Sequence, residues 1–192
     1  MSSALSDVVA RPAPFPHALT RQALDPRLAE NILQWFETAA PWRLRTESFY
    51  EQYEMNLHEA VLPDEVAPAI SDNMIVALHH RMLAPLTHQQ LTLTEVNAHK
   101  LLPGQTIKIH NDYIGRDETH RLLIQLNRDW TDDCGGMLML FSGPTVEDVA
   151  RLIRPRHASG VAFEISPASY HAVSTIRSGE RYTIVYSFKR AN

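Results

Sequence analysis

The sequence holds a single cysteine, Cys134, in 192 residues. No internal disulfide can form, which points to a reducing compartment. It has no apolar run near the ~18 residues that a transmembrane helix needs. Its opening, MSSALSDVVARPAPFPHALT, has no basic start leading into an apolar core. Neither a membrane partner nor a secretory leader is expected, and the expected location is cytoplasmic. Positive charge is not in excess: Lys+Arg is 18 against Asp+Glu 22, a formal net charge of −4. No nucleic-acid partner is expected of such a chain. There is no internal repeat and no low-complexity segment. The composition, 44% hydrophobic and 8% aromatic, is that of one globular domain with a core of its own. Against these absences stand ten histidines, which direct attention to metal.

Organisation follows from pattern. Residues 1–18 carry Pro12, Pro14 and Pro16 and are expected to form a loosely packed arm. Asp25-Pro26 starts a helix: Asp accepts from free N–H groups, and Pro loses no hydrogen bond at the first helical position. Leu28, Ile32, Leu33 and Trp35-Phe36 continue it until Pro41. A second helix is expected from Ser71 through Ile75, Leu78 and Met82 to about Ala84. The aromatic stretch between them, with Trp42, Phe49, Tyr50 and Tyr53, either packs against a sheet or covers a mouth. From residue 91 the texture turns to short β-rich runs: 91–98, 105–110, 121–127, 137–141, 160–165, 170–176 and 181–188. Thr145–Ile153 reads either way, with a short helix as one option. The expected fold is mainly β with N-terminal helices. One domain, 1–192, divides into helical support over 1–90 and a sandwich or barrel core over 91–192.

His110-Asn111-Asp112 is the first chemical candidate. On a strand, residues i and i+2 share a face, so an imidazole and a carboxylate can hold one metal ion. Ten His and ten Asp in this length give about 0.5 such triplets by chance. The triplet alone therefore decides nothing, and a polar strand end explains it equally well. A third ligand can come from His171. Two His and one carboxylate on one face leave three positions open, which suits non-haem Fe(II) enzymes. Ten residues beyond His171 stands Arg181, which shares a strand face with Thr183. An inward Arg is costly unless paired, and a ligand carboxylate would pair it bidentately.

Four ordered blocks then carry a resemblance. They are Pro103-Gly104 leading to His110-Asn111-Asp112; Leu126-Asn127 with Trp130; Gly135-Gly136-Met137-Leu138; and His171-Ala172-Val173 with Ser178-Gly179-Glu180-Arg181-Tyr182-Thr183. From about Leu93 to Lys189 the chain resembles the Fe(II)/2-oxoglutarate-dependent oxygenases, in their prolyl-hydroxylase-like branch. The resemblance implies a double-stranded β-helix, a cupin-like jelly roll whose mouth holds the metal. It implies His110, Asp112 and His171 as catalytic Fe(II) ligands. It implies Arg181 as partner of the 2-oxoglutarate C5 carboxylate, helped by Thr183. The family often has a tyrosine where this chain has Gln125, which can still donate a hydrogen bond to the co-substrate, and another where it has Leu102.

The implied activity is hydroxylation of an unactivated C–H bond with O2, releasing succinate and CO2. The substrate partner would be an amino acid, a peptide residue or another small metabolite. Substrate contacts are expected from Tyr113 and Arg116, with His120 nearby, and from Arg154 and Arg156 in a basic cluster with Arg151 and His157. His79-His80 diverge on their helix, His99 is a remote metal candidate, and Cys134 is expected to have no catalytic role. Two alternatives remain at this point: a cupin-type metal dioxygenase or isomerase that does not use 2-oxoglutarate, and a non-catalytic Fe/2-oxoglutarate sensor.

Overall fold

A computed structural model describes residues 7–115 and 118–191. In chain order the elements are β1 (Val9–Arg11), β2 (His17–Thr20), α1 (Pro26–Thr38), β3 (Arg43–Thr46), β4 (Glu51–Asn56) and α2 (Asp72–Leu78). There follow β5 (Leu91–Leu101), β6 (Ile107–His110), β7 (His120–Gln125), β8 (Leu138–Phe141), β9 (Val149–Ile153), β10 (Gly160–Glu164), β11 (His171–Val173) and β12 (Arg181–Arg190). The strands form two antiparallel sheets: β1-β2-β10-β7-β12-β5-β4-β3, and β6-β11-β8-β9. Two facing antiparallel sheets of this order make a double-stranded β-helix, as expected.

The helices form for the reasons the sequence offers. Asp25 Oδ1 accepts from the N–H groups of Arg27 (2.9 Å) and Leu28 (3.2 Å), and Pro26 follows it. Ile32, Leu33 and Phe36 fall on one stripe and are buried. Ser71 Oγ accepts from the Met74 N–H and caps α2, which continues as a π-helical turn over His79–Leu83. Both helices pack on the outer face of the larger sheet, against Leu122, Ile124, Ile184, Tyr186 and Phe188. Each large side chain buried there contributes about 1.5–3 kcal/mol.

The N-terminal third is less helical than expected. Besides the two helices it supplies four strands of the larger sheet, two at each edge. β1 and β2 form a hairpin that extends β10, and Phe15 between them is buried 5.9 Å, centroid to centroid, from Phe163. The expected loose arm is thus docked over residues 9–20, whereas residues 1–6 lie outside the described ones. The 145–153 segment is no helix beyond one 3-10 turn at Val146–Asp148; Val149–Ile153 is the edge strand β9.

The space between the sheets is divided. Towards β10 it is filled by Phe15, Val161, Phe163, Leu138 and Leu140. Towards β5 and β4 the inward side chains are polar and enclose a cavity of about 430 Å³.

Candidate functional site

The His-x-Asp pair is built differently from the strand expectation. β6 ends at His110, and Asp112 lies beyond it with φ +58°. Aspartate tolerates this left-handed conformation better than most residues. The turn, rather than strand alternation, brings the carboxylate back beside the imidazole. His171 starts β11 and pairs directly with His110 across the smaller sheet. His110 Nε2 is 3.3 Å from Asp112 Oδ1, and His171 Nε2 is 3.1 Å from Asp112 Oδ2. One donor atom from each residue lies within 4.8 Å of the others.

The donor chemistry fits a metal ion. His110 Nδ1 is 2.8 Å from the Lys108 carbonyl, and His171 Nδ1 is 2.8 Å from the Ser169 carbonyl. A carbonyl only accepts, so each Nδ1 donates and carries the ring proton. Burial pushes the His171 imidazole down against the pull of Asp112, so its neutral form leaves Nε2 unprotonated. A bare nitrogen lone pair then faces a carboxylate oxygen, which is stable only with a cation between them. Ligands ~2.1 Å from a metal on adjacent octahedral corners lie roughly 3 Å apart, close to the spacings here. Burial alone would raise the Asp112 carboxyl, but Arg121 and the two imidazoles hold it well below the usual range.

Arg121 was not singled out in the sequence. It lies on β7, inward like Leu123, and its Nη1 donates to Asp112 Oδ2 at 2.7 Å while Nη2 donates to Glu118 at 2.9 Å. Phe49, from the aromatic stretch, is a second neighbour, its ring tilted over His110 at 4.8 Å between centroids. It sits at the tip of the β3–β4 hairpin, where Lys108 N–H donates to the Phe49 carbonyl. The aromatic stretch is therefore split: Trp42 packs outward on Phe36 and Tyr182, and Phe49 and Tyr50 line the mouth.

Deeper in the same cavity lies Arg181, 3% exposed. Its Nε donates to the Gly136 carbonyl (2.9 Å) and its Nη1 to Thr183 Oγ1 (2.8 Å). Thr183 Oγ1 donates to Gln125 Oε1 at 2.9 Å, and Gln125 Nε2 is buried without an acceptor among the described residues. Among the described residues no carboxylate pairs with Arg181. Burial pushes its guanidinium down to about 10, and it remains a cation. Gly136 makes the approach possible: with φ +64°, a Cβ there would meet Ile176 Cδ1 at 2.7 Å and Arg181 Cδ at 3.0 Å.

The remaining candidates separate. Tyr113 is half-exposed just beyond Asp112. Arg116 lies outside the described residues. His120 is no lid residue: it faces the outer core beside Thr119, where burial pushes its imidazole down to about 4. Arg154 and Arg156 line a different surface groove with Arg151, and Arg154 is paired with Asp132 at 2.7 Å. They do not reach the metal cluster. His99, by contrast, lines the cavity itself, and Cys134 does not.

Residues 95–189 match the family model described as the 2OG-Fe(II) oxygenase superfamily. The chain belongs to that superfamily. The enzyme is accordingly a 2-oxoglutarate- and Fe(II)-dependent oxygenase that uses O2. No match was found among curated protein sequences. Solved structures share its fold. A prolyl-4-hydroxylase from Pseudomonas putida is 16% identical, TM-score 0.66, over 91% of this chain and 92% of that one. A Trichoplax adhaerens prolyl hydroxylase, solved with a hypoxia inducible factor peptide fragment, is 19% identical, TM-score 0.73, over 91% and 83%. A 2OG-Fe(II) oxygenase family oxidoreductase from Burkholderia pseudomallei is 17% identical, TM-score 0.69, over 92% and 86%. None of the described helices of the oxygenase is long and apolar enough to cross a membrane.

Proposed function

We propose that the oxygenase hydroxylates an unactivated C–H bond of a small molecule or peptide residue, with His110, Asp112 and His171 as its Fe(II) ligands. In this reading Arg181, Thr183 and Gln125 hold the 2-oxoglutarate C5 carboxylate. When bound, iron and 2-oxoglutarate together supply the oxidising power for C–H cleavage, with succinate and CO2 as co-products.

One observation carries the reading: a cluster of three metal-ligating atoms shares a cavity with a buried cation that pairs with no carboxylate among the described residues. A buried charge is costly until it is paired. Arg181 offers the free edge of its guanidinium to a carboxylate, and Gln125 Nε2 offers one more donor beside it. The carbonyl contacts on both Nδ1 atoms keep the imidazoles oriented, and Arg121 keeps the carboxylate turned inward. Phe49 and Tyr50 shield the mouth from water on the β4 side. Neither a general base nor a nucleophile is needed to break a C–H bond.

The direct test is product formation. Purified protein with Fe(II), 2-oxoglutarate and O2 should release succinate slowly, and a substrate should stimulate that release. Asp112→Ala should abolish it. Succinate release that persists in Asp112→Ala would refute the ligand assignment.

A further inference from the structure

Resting on the oxygenase reading above, we propose that the inner face of β5 is the substrate-recognition wall, and that it takes a small organic cation whose ammonium group pairs with Glu95. Strand alternation places Glu95, Asn97 and His99 at successive inward positions, all lining the cavity. Among the described residues, none of these three side chains has a hydrogen-bond or ion-pair partner. Gln52 faces the same cavity from β4; it is 2% exposed, and its Oε1 has no donor among the described residues. A buried acceptor left unmade costs about 1–3 kcal/mol, which a ligand N–H would recover. The wall is thus rich in acceptors that the protein itself does not satisfy.

The charge pattern selects a cation. Glu47 and Glu54 share Arg45 at 3.0 and 2.9 Å. Asp112 is held by Arg121, whose other partner is Glu118. Arg181 is committed to the co-substrate. Glu95 is the remaining carboxylate of the described lining; the Arg121 guanidinium feels its charge but, with Asp112 and Glu118 already on it, makes no ion pair with it. His99 adds no competing charge: burial, reinforced by Arg121 and Arg181, pushes its imidazole down to about 3.

Position and size narrow the class. Glu95, Ser187 and Arg121 form one row across β5, β12 and β7. At roughly 4.8 Å per strand, the Cα atoms of Glu95 and Arg121 are about 10 Å apart, and the carboxylate acts on the Arg121 guanidinium, which itself touches Asp112. A short carbon chain therefore separates the ammonium from the carbon presented to the metal cluster. The cavity of 430 Å³ is at the small end of ligand pockets (~300–1,000 Å³) and is shared with the co-substrate. It suits a free amine rather than a bulky polymer segment.

The test is succinate release by the iron-loaded enzyme with a library of small aliphatic amines, their hydroxyl isosteres and matched carboxylates. The absorption band of the Fe(II)–2-oxoglutarate complex is recorded anaerobically in the same preparations. Amines should stimulate release at least about tenfold over their isosteres, as a charge-assisted hydrogen bond gives. Glu95→Gln should remove that preference and Glu95→Asp should keep it, with the band unchanged in both. A band with equal stimulation by neutral or anionic compounds, or with no stimulation by any amine, overturns the inference. So does an amine preference that survives in Glu95→Gln. An absent band instead refutes the oxygenase site on which the inference rests.

Discussion

Arg121 and Asp112 form an ion pair in the wall of the cavity, 2.7 Å from Nη1 to Oδ2, with the Asp112 side chain 9% exposed. The guanidinium compensates a carboxylate that burial would otherwise neutralise. Breaking such a pair from one side costs more than the pair itself contributes, because a charge is left buried alone. Arg121→Met should therefore destabilise the metal-free protein by about 2–4 kcal/mol. A divalent cation in the cluster would replace the missing charge, so saturating Mn(II) should restore most of the loss. Denaturant midpoints with and without Mn(II) check this. An equal loss in both forms would show that Arg121 does not support the cluster.

Arg181→Ala should raise the 2-oxoglutarate requirement by about 30-fold or more, since losing one partner of a buried charge pair costs 2–5 kcal/mol. Fe(II) affinity should change little, because Arg181 contacts Gly136 and Thr183 and none of the three ligands. Titrations of each, done separately, check the split. An unchanged 2-oxoglutarate requirement would remove Arg181 from the co-substrate site.

Gly136→Ala should act through Arg181. The new methyl would crowd Ile176 Cδ1 and Arg181 Cδ at a backbone angle of φ +64°. The expected result is weaker 2-oxoglutarate binding, by about tenfold, with Fe(II) binding retained. Parallel loss of both would indicate general unfolding instead.

His120 sets an acid limit on stability. Its imidazole is buried on the outer core, and that burial pushes it down to about 4. The unfolded chain titrates near ~6.5, so between these values the unfolded state binds more protons than the folded one. Stability from this residue is complete above about pH 6.5 and is lost progressively towards pH 4, by up to about 3 kcal/mol. Denaturant unfolding at pH 7 and pH 5 should show the slope, to which the buried His99 also contributes, and His120→Asn should make it shallower. An unchanged slope would assign the acid sensitivity elsewhere.

How much of this was legible in the sequence depends on what each strand faces. β7, β8, β10 and β12 bury apolar side chains on at least one face, and their runs stand out. β3 is exposed at every residue, and β4 carries Gln52 and Glu54 into a polar cavity. A strand that lines a wet cavity has no apolar alternation to find. β1 and β2 were hidden by the prolines that shape their hairpin. Asp112 was found, but its left-handed turn leaves no mark in a residue pattern. Arg181 was found because an Arg in an otherwise apolar strand demands a partner. Arg121 carried the same signal at an inward position two before Leu123, and it went unread because nothing in the spacing links it to Asp112. Glu95 and Asn97 needed the register with β12 before they could be placed in the cavity.

The most direct test of the central claim is an anaerobic titration of the metal-free protein with Fe(II), then 2-oxoglutarate, followed by visible absorption. The expected result is a weak charge-transfer band that saturates at one equivalent of co-substrate and is absent in Asp112→Ala. Fe(II) binding without any band, or a band that survives in Asp112→Ala, would contradict the assignment of the His110–Asp112–His171 cluster.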